Sequence, residues 1–487
     1  MGSKDNQPTV RPSVLLKKYF QFEPTNGQNE FFNLMDGFLT DQDTDGATFV
    51  LRGYAGTGKT SLISALVKLL PRIKMKSMLL APTGRAAKVM GNYSQKSAFT
   101  IHKIIYKPKD QAGDMGGGFD LVKNYYQNTL FIVDEASMLS DESMGSRSLL
   151  RDLIHYVFQG VGNKLILVGD TAQLPPVGSV LSPALERDYL VRHFRLKVSM
   201  IELTEVMRQQ LESGILYNAT FLRDQVKAKN PVIYFQTKGF KDFFKMTGER
   251  LEDGLRYAYD KYGTENTAIV TRSNKSAVQY NQYIRRTIHF FDEEISAGDL
   301  LMIVKNNYTY MADSDKVNFL ANGDFVEVTK IRSFEEMYGL RFATLELRLL
   351  DYPDEPYFEA KVVLDTLYSP HPALTVEAYR ELYRQVSLDY MDVVNKSERM
   401  ELIKKDPYLS ALQVKFAYAL TCHKSQGGQW DAVFVDQGYL TEDQVNQEYI
   451  RWLYTAVTRA KKELFMVNFN PKFYIYKEDS ETNLNDE

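Results

Sequence analysis

The stretch from Phe49 to Ser61 constrains this chain more than any other part of its sequence. An apolar, β-rich run, Ala47 to Leu51, leads into Gly53-Tyr-Ala-Gly-Thr-Gly-Lys59-Thr60, which matches the pattern G-x-x-x-x-G-K-[ST]. A helical pattern follows at once, with apolar residues on one face: Leu62, Ile63, Leu66 and Leu69. Strand, glycine-rich loop and helix in this order predict a phosphate-binding loop.

The residue types of this loop suit a polyphosphate ligand. Glycines let backbone N–H groups turn inward around the phosphates, and the helix N-terminus adds its partial positive charge. Lys59 can reach the β and γ phosphates, and Thr60 can hold Mg²⁺. The loop residues expected to bind the nucleotide are Gly53, Gly56, Thr57, Gly58, Lys59, Thr60 and Ser61.

Length and composition indicate a globular protein of two or more domains. The chain has 487 residues, of which 44% are hydrophobic and 25% charged. The net charge of −3 argues against a purely electrostatic nucleic-acid binder, but leaves room for a local basic groove. No uncharged apolar run reaches membrane-spanning length, and the N-terminus lacks an apolar signal region. The single cysteine, Cys422, excludes internal disulfides and a cysteine zinc cluster, which fits a reducing cytoplasm.

Two further buried strands of the first half end in polar groups. The run Thr129 to Val133 delivers Asp134 and Glu135, of which one can hold the water shell of Mg²⁺ and the other can activate water. The run Lys164 to Val168 leads to Gln173, which can hydrogen-bond a γ-phosphate or position water. A proline-stiffened surface turn is the other interpretation of the segment around Gln173.

The segment that precedes the phosphate loop predicts a helix capped by Thr25 or Asn26, with Phe31, Phe32, Leu34 and Met35 buried. Gln28 in its first turn can present an amide to an adenine edge, although an ordinary exposed glutamine is the alternative.

Alternating strands and helices predict a parallel, doubly wound sheet up to about Leu203 and a second α/β unit after it. In the second unit we predict strands at Thr267 to Thr271, Leu300 to Val304, Lys415 to Leu420 and Ala432 to Val435, with Glu463 to Val467 closing the sheet, and a helix from Trp452 that carries Arg459. Short strands from Phe325 to Leu367 predict a small β-barrel insertion, and a helical span follows from Val376 to about Ile403. In that span we expect Tyr379 and Tyr383 to be core residues rather than a stacking platform.

The predicted domains are residues 25–203, with a hairpin-like insertion at about 107–126, and residues 204–470, with an insertion at about 325–410. A tail over residues 1–24 and an acidic tail over residues 471–487 flank them.

Eight motifs run through the chain in a fixed order: GYAGTGKT, APTGRAAK, TIH, DEAS, GDTAQLPPVG, LTEVMRQ, TCHKSQG and YTAVTRAKK. This ordered set resembles the superfamily-1 DNA helicases that move five-prime to three-prime, the group that includes RecD and Dda. The resemblance spans about Gly27 to Val467. It implies two RecA-like motor domains with ATP between them and a monomeric motor that acts on single-stranded DNA and on tailed or forked duplex DNA, with no membrane partner.

The resemblance also implies roles for single residues. Lys59 and Thr60 correspond to the phosphate and Mg²⁺ residues, Asp134 to the metal carboxylate and Glu135 to the base that activates water. The remaining ATP-site assignments are Gln28 as the adenine contact, Gln173 as the γ-phosphate sensor, Arg208 and Arg459 as arginine fingers, and Gly427 as a further nucleotide contact. Without the resemblance, Arg208 is equally well an ordinary surface arginine.

The family's motifs place single-stranded DNA against Thr83, His102, Thr421, His423, Lys424 and Ser425, whose polar side chains suit phosphate contacts. A core histidine is the alternative for His423, and Cys422 is interpreted as packing. The glycine-rich segment Lys107 to Lys123 lies where the family carries a strand-separating pin, with Met115, Phe119, Leu121 and Val122 as candidate wedge residues.

Two other functions stay open from the sequence. The glycine-rich pin leaves room for a DNA-stimulated ATPase that translocates or remodels without strong strand separation. A non-catalytic DNA-binding or scaffold protein is less consistent with the intact Lys59, Asp134 and Glu135.

Overall fold

The computed structural model describes residues 11–108, 119–141, 148–207, 212–311, 319–441 and 444–474. The chain forms two units. The first takes the chain up to Pro82, Ala86–Ile105 and Leu121–Glu212. The second takes Thr83–Arg85, Tyr106–Asp120 and the chain from Ser213 onward. No helix among the described residues is both long and apolar enough to cross a membrane.

The first unit contains a six-stranded parallel sheet in the order β3-β2-β6-β7-β1-β8. Strands β6 and β7 are buried along their whole length, as expected for the centre of a doubly wound sheet. The elements up to Leu203 are α1 (Pro12–Tyr19), α2 (Asn26–Thr40), β1 (Ala47–Gly53), α3 (Lys59–Leu69), β2 (Lys76–Ala81), α4 (Gly84–Ser94), β3 (Ala98–Thr100), α5 (Ile101–Ile105), β4 (Tyr106–Pro108), β5 (Phe119–Leu121), β6 (Thr129–Val133), α6 (Leu149–Phe158), β7 (Lys164–Gly169), α7 (Arg187–Phe194) and β8 (Lys197–Leu203).

The predicted N-terminal tail contains a docked helix, α1. Its Ser13 donates from both the backbone N–H and Oγ to the Asp36 carboxylate of α2, at 2.6 and 2.7 Å. Leu16 is fully buried in the same core as Phe31 and Phe32. The prediction of a tail over residues 1–24 is therefore corrected for Pro12–Tyr19, where Pro12 starts the helix and an apolar face packs on α2 and α3.

The predicted hairpin in the glycine-rich segment has paired ends, because β4 and β5 form a two-stranded sheet. Residues 109–118, including the candidate wedge residue Met115, lie outside the described residues. Of the predicted acidic tail, residues 475–487 also lie outside them. The prediction of a tail is corrected for Pro471–Tyr474, which form a helical turn whose Phe473 carbonyl accepts from the Phe235 N–H at 2.6 Å.

The second unit contains a five-stranded parallel sheet, in the order β16-β10-β17-β18-β9, and a closed barrel of β11, β12, β13, β14 and β15. Its elements are α8 (Gly214–Gln225), β9 (Phe243–Met246), α9 (Leu251–Tyr262), β10 (Thr267–Thr271), α10 (Asn274–Tyr283), β11 (Leu300–Ile303), β12 (Phe325–Met337), β13 (Leu340–Leu349), β14 (Phe358–Val363), α11 (Asp365–Tyr368), α12 (Val376–Asp389), α13 (Lys396–Lys405), β15 (Leu412–Phe416), β16 (Ala419–Thr421), α14 (Cys422–Ser425), β17 (Trp430–Asp436), α15 (Gln447–Val457) and β18 (Ala460–Val467).

Two strands assigned to the second sheet belong wholly or partly to the barrel. The run Leu300 to Val304 supplies β11, which pairs antiparallel with β12 and β15. The run Lys415 to Leu420 is divided between the end of β15 in the barrel and β16 in the sheet. The apolar sequence is continuous across this break, so periodicity alone could not reveal it.

The sheet of the second unit does not end at β18. Strand β9 pairs with β18 on the side opposite β17 and forms the edge, so the prediction that Glu463 to Val467 closes the sheet is wrong. Only four residues long, β9 gave too short an apolar run to be predicted.

The barrel strands are longer than predicted. Tyr338 and Gly339 join β12 to β13 with φ of 54° and 73°, the two left-handed residues that a type I′ hairpin turn needs. Two register shifts, between Val328 and Lys330 and between Ile331 and Ser333, bend β12 and help the sheet to close.

A buried ion pair lies at the start of the first barrel strand, β11. Arg285, in the π-helical turn Ile284–Ile288, donates to Asp299 at 2.8 Å, and both side chains are almost completely buried. The Tyr418 hydroxyl donates to the same carboxylate at 2.9 Å, and the Phe416 ring lies 4.4 Å from the guanidinium. The pair thus joins the end of α10 to the residue before β11 and to the segment between β15 and β16.

Replacing Asp299 with alanine should leave the Arg285 guanidinium buried without its carboxylate. We expect the free energy of unfolding to fall by about 3–5 kcal/mol, measured by urea denaturation. Glu381→Ala is the matched control, since it breaks the exposed pair with Arg384 on α12 and should change stability little. Equal losses in the two variants would contradict this account.

Candidate nucleotide and nucleic-acid sites

The phosphate loop has the backbone that its sequence predicts. Gly56 and Gly58 have φ of 77° and 82°, a left-handed conformation that glycine adopts without steric cost, and α3 begins at the next residue, Lys59. A Cβ added at Gly58 would lie 2.6 Å from Gln28 Nε2 and 2.8 Å from Met207 Sδ. The loop is therefore packed closely between the start of α2 and the segment after β8.

Lys59 is held by its own loop in this structure. Its Nζ donates to the carbonyls of Gly53 and Tyr54, at 2.6 and 3.0 Å. Thr60 is exposed, so its hydroxyl is accessible to a ligand. The left-handed glycines, the Lys59 ammonium and the accessible Thr60 hydroxyl together fit a nucleoside triphosphate with its metal ion.

Gln28 is completely buried, so the interpretation of an ordinary exposed glutamine is wrong. Thr25 caps α2 as predicted, and the two residues form a capping box, in which Thr25 Oγ1 accepts from the Gln28 N–H and Gln28 Oε1 accepts from the Thr25 N–H. Gln28 Nε2 donates to the Thr57 carbonyl at 2.9 Å. The glutamine thus fixes the helix to the phosphate loop, and its contact with adenine stays a prediction.

The segment after β8 lies against the same loop. The Met207 N–H donates to the Gly56 carbonyl at 3.0 Å, and Glu205 accepts from the Asn26 N–H at 3.3 Å. The predicted domain boundary at Thr204 therefore falls inside the first unit, which continues to Glu212. Arg208, the predicted arginine finger of this segment, lies outside the described residues.

The other predicted catalytic groups lie at the carboxyl edge of the first sheet, where the phosphate loop also begins. Strands β6, β7 and β1 are parallel neighbours, so the segments that follow them share one edge: Asp134–Glu135, the segment from Asp170 to Gln173, and the phosphate loop. Gln173 is buried, which excludes a side chain on an exposed surface turn.

Glu202, at the end of β8, connects two of these segments and was missed in the sequence. Its Oε1 accepts from the Tyr54 hydroxyl of the phosphate loop at 3.0 Å and from Thr171 Oγ1 at 3.4 Å. Gly169 fits closely against the acidic segment, because a Cβ there would lie 3.1 Å from the Ser137 nitrogen. The three segments at this edge are therefore joined by direct contacts.

Both oxygens of Asp134 accept hydrogen bonds. The Tyr93 hydroxyl of α4 donates at 2.6 Å, and the Glu135 N–H donates at 2.9 Å. Burial, reinforced by Asp134, raises the pKa of Tyr93, which therefore remains a proton donor. The sequence gave no signal for Tyr93, because only the tertiary structure brings α4 to the end of β6.

Glu135 has a strained backbone, with φ of 52° and ψ of 35°. Left-handed geometry costs a residue with a Cβ about 1 kcal/mol or more, and such positions cluster at functional sites. The strained turn directs the chain from β6 into the short helical turn Ala136–Met138.

Glu135→Gly and Glu135→Ala both remove the carboxylate, but only glycine relieves the strain. The glycine variant should be more stable than the alanine variant by about 1 kcal/mol in urea denaturation. The same pair of substitutions at Arg380, within α12, should show the opposite order, since glycine costs about 1 kcal/mol in a helix interior. An alanine variant that is the more stable at both positions would show that Glu135 is unstrained.

Arg459 is buried and uses its guanidinium within the second unit. Nε donates to the Thr455 carbonyl at 2.9 Å, Nη1 to the Gly428 carbonyl at 3.2 Å and Nη2 to Thr458 Oγ1 at 3.2 Å. Helix α15 ends at Val457, so Arg459 follows the helix rather than lying in it, which corrects the prediction. Arg459 thus stabilises the loop that contains Gly427, itself buried with φ of 73°.

The TCHKSQG segment places its polar residues differently. His423 is exposed, so the core-histidine interpretation is wrong. Ser425 is fully buried, and its hydroxyl donates to the Cys422 carbonyl at 2.8 Å, which places this predicted DNA residue in the interior. Cys422 is also buried, and burial raises the pKa of its thiol to about 12, consistent with a packing role. Thr421 ends β16 and precedes α14.

Two predicted DNA contacts meet at one turn of the second unit. Lys424 Nζ donates to Asn322 Oδ1 at 2.5 Å, and Thr83 Cγ2 lies 4.0 Å from where a Cβ on Gly323 would stand. Arg85, two residues after Thr83, has its guanidinium 4.7 Å from the Phe325 ring centroid and 4.2 Å from that of Trp430. These aromatic contacts of the APTGRAAK motif were not predicted.

His102 lies on α5 of the first unit. Loss of water contact lowers the pKa of its imidazole to about 4, so the ring is neutral at pH 7.

The low pKa of His102 should make stability depend on pH. The unfolded chain takes up the proton near pH 6.5 and the folded chain only near pH 4, so acidification between these values favours unfolding. We expect His102→Gln to lose less stability than the wild type between pH 7 and pH 4.5 in parallel urea denaturation. His193→Gln, at an exposed histidine of α7, should follow the wild type. Identical pH profiles for wild type and His102→Gln would contradict the assignment.

Comparisons with known proteins find matches for parts of both units. Residues 34–230 match the AAA domain, and residues 416–467 match the UvrD-like helicase C-terminal domain. The ATP-dependent DNA helicase dda of Enterobacteria phage T4 is 24% identical, over 91% of this chain and 99% of that protein. These matches support the resemblance to the superfamily-1 helicases of the RecD and Dda type. The family resemblance and the fold of two RecA-like sheets with a small barrel are confirmed.

One further protein and one solved structure are similar to this chain over most of its length. Uncharacterized protein R530 of Acanthamoeba polyphaga mimivirus is 26% identical, over 86% of this chain and 95% of that protein. A Pif1 helicase structure from Bacteroides, in complex with ADP-AlF3 and ssDNA, has a TM-score of 0.47 at 15% identity, over 96% of this chain and 98% of that chain.

Proposed function

We propose that this protein is an ATP-driven DNA helicase that moves five-prime to three-prime along single-stranded DNA and separates duplex DNA. The observation that carries the proposal is the edge of the first sheet. There the phosphate loop with Lys59, the acidic pair Asp134–Glu135 and Gln173 follow three neighbouring parallel strands. The match to the UvrD-like helicase C-terminal domain supports the same activity, as does the name of the T4 relative.

ATP binding would use the loop as it stands. The backbone N–H groups at the start of α3 and the Lys59 ammonium would face the phosphates, and Gln28 would contact the adenine once its amide leaves the Thr57 carbonyl. To bind a phosphate, Lys59 exchanges the Gly53 and Tyr54 carbonyls for phosphate oxygens, which is favourable because a charged acceptor is stronger than a neutral one.

Thr60 and Asp134 would hold Mg²⁺, which supplies positive charge to the phosphates. Asp134 is already oriented by Tyr93 and by the Glu135 N–H, so its carboxylate is fixed before the metal binds. Glu135 accepts the proton of the attacking water. Its strained backbone is consistent with a carboxylate held in a position that catalysis requires.

Gln173 positions the water or the γ-phosphate. Its segment is connected to the phosphate loop through Glu202, so a change at the phosphates can pass to the segment that follows β7. Arg208 and Arg459 are proposed, on the resemblance, as the arginines that neutralise the charge of the transition state.

The single strand would be bound mainly through its phosphates. Thr83 and Lys424 lie at one turn, and Thr421 and the exposed His423 adjoin Lys424 in the chain. His102, neutral at pH 7, would contribute as a hydrogen-bonding group rather than as a cation. These groups bind without reading sequence, as a motor requires.

The decisive test measures strand separation on two partial duplexes, one with a five-prime tail and one with a three-prime tail. We expect unwinding of the five-prime-tailed substrate alone, and its loss in Glu135→Gln, which keeps the side-chain size but not the base. Lys59→Ala should reduce DNA-stimulated ATP hydrolysis by about a hundredfold or more. Lys68→Ala, in the last turn of the same helix, is the matched control and should retain activity.

Unwinding from the three-prime tail would overturn the polarity, and full ATP hydrolysis in Lys59→Ala would overturn the motor itself. DNA-stimulated hydrolysis without unwinding on either substrate would favour the translocase instead.

A further inference from the structure

A lysine outside the recognised motifs is held over an aromatic ring in the second unit. Lys305 follows β11 and is exposed, and its Nζ lies 3.9 Å from the ring centroid of Tyr379 on α12. An ammonium at this distance from a ring face is attracted to it, which limits the positions that the side chain can adopt. Tyr379 is therefore not simply a core residue, contrary to the expectation from the sequence.

Lys305 is connected to the TCHKSQG segment by polar contacts. The neighbouring Asn306 accepts from the Asn322 N–H at 2.7 Å, and Asn322 Oδ1 accepts from Lys424 Nζ at 2.5 Å. We call these five residues the lysine row: Lys305, Asn306, Asn322, Lys424 and Tyr379. The row lies within one unit and extends from α12 across two barrel loops to a predicted DNA contact.

Neither lysine of the row has a carboxylate within ion-pair distance in the described part of the chain. Loss of water contact lowers the pKa of Lys305, and lowers that of Lys424 to about 8. The Lys305 side chain is exposed overall, but the Tyr379 ring displaces part of the water around its Nζ. A partly desolvated ammonium with no anion beside it is stabilised when an anion binds.

The cations on the adjacent barrel strands are arranged differently. Three of them are paired with glutamates, Arg332 with Glu346, Arg348 with Glu327 and Lys361 with Glu335, whereas Lys415 on β15 donates to the Ser369 carbonyl. Carboxylates neutralise these three paired cations, whereas the two lysines of the row have no such partner among the described residues.

We propose that the lysine row binds the phosphate backbone of a single DNA strand, with Lys305 as a further phosphate contact and Tyr379 as the residue that positions it. The inference rests on the proposed function and extends its DNA path from Lys424 to α12. A single strand is the ligand that fits, because Thr83 lies at the same Asn322–Gly323 turn and the row continues a set of predicted phosphate contacts.

The test is the salt dependence of binding to a fluorescent oligothymidylate, measured by anisotropy without nucleotide. Each phosphate contact on a single strand contributes about 0.7 to the slope of log K against log salt. Lys305→Gln should therefore lower the slope by about 0.7 and weaken binding about fivefold at 0.1 M salt. Tyr379→Leu should weaken binding in part, whereas Tyr379→Phe, which keeps the ring face, should bind like the wild type.

The chain offers a matched control in Lys261 and Tyr257 on α9. Lys261 Nζ also lies over a tyrosine ring, 5.0 Å from its centroid, but it has the Glu463 carboxylate at 2.9 Å. Lys261→Gln should leave the slope unchanged, since its charge is already neutralised.

The outcomes separate the two proposals. If the wild type binds the oligonucleotide and Lys305→Gln binds with the same slope, the lysine row is not a phosphate site, and the helicase proposal stands. If the wild type does not bind single strands at all, the proposed function itself fails. Equal weakening by Tyr379→Phe and Tyr379→Leu would overturn the positioning role of the ring, and an effect of Lys261→Gln equal to that of Lys305→Gln would reduce the inference to general electrostatics.

Discussion

The close packing of the phosphate loop is the constraint on which the first unit depends. Left-handed backbone at Gly56 and Gly58 lets α2 and the segment after β8 approach so closely that no side chain fits at residue 58. Gln28 and Met207 then hydrogen-bond the loop from either side. The glycines that would expose N–H groups to phosphate are therefore also the ones against which α2 and the segment after β8 pack. A change in the loop on nucleotide binding would act on both of these segments.

The second unit uses charge in two opposite ways. At the start of β11, Arg285 and Asp299 are buried together and joined by two hydrogen bonds. An unpaired charge in this position would strongly destabilise the fold. On the barrel strands Arg332, Arg348 and Lys361 are paired with glutamates. At the loops that lead to Lys424, by contrast, two ammonium groups have no carboxylate partner among the described residues. A chain with a net charge of −3 can thus still present a local surface for an anionic strand.

The parts predicted well from the sequence are those with strong local signals. The strand, loop and helix around Lys59, the Thr25 cap and the central buried strands all follow from residue type and spacing. Errors arose where one apolar run serves two sheets, as at Leu412 to Thr421, and where a strand is as short as β9. Tyr93 and Glu202 were missed because each acts through a partner about 40 residues or more away in the chain, which spacing cannot reveal.

The sequence by itself determined the family resemblance, the phosphate loop and the position of the acidic pair, since these depend on residue types at fixed local spacing. Only the tertiary structure decided which side chains are exposed: it placed Ser425 in the interior and His423 at the surface, although both lie on the same short helix. It also decided that Tyr379 lies under an ammonium and that Glu135 has a strained backbone. Burial, strain and charge compensation arise from contacts between segments that are distant in the chain. Residue types and their local spacing cannot reveal those contacts.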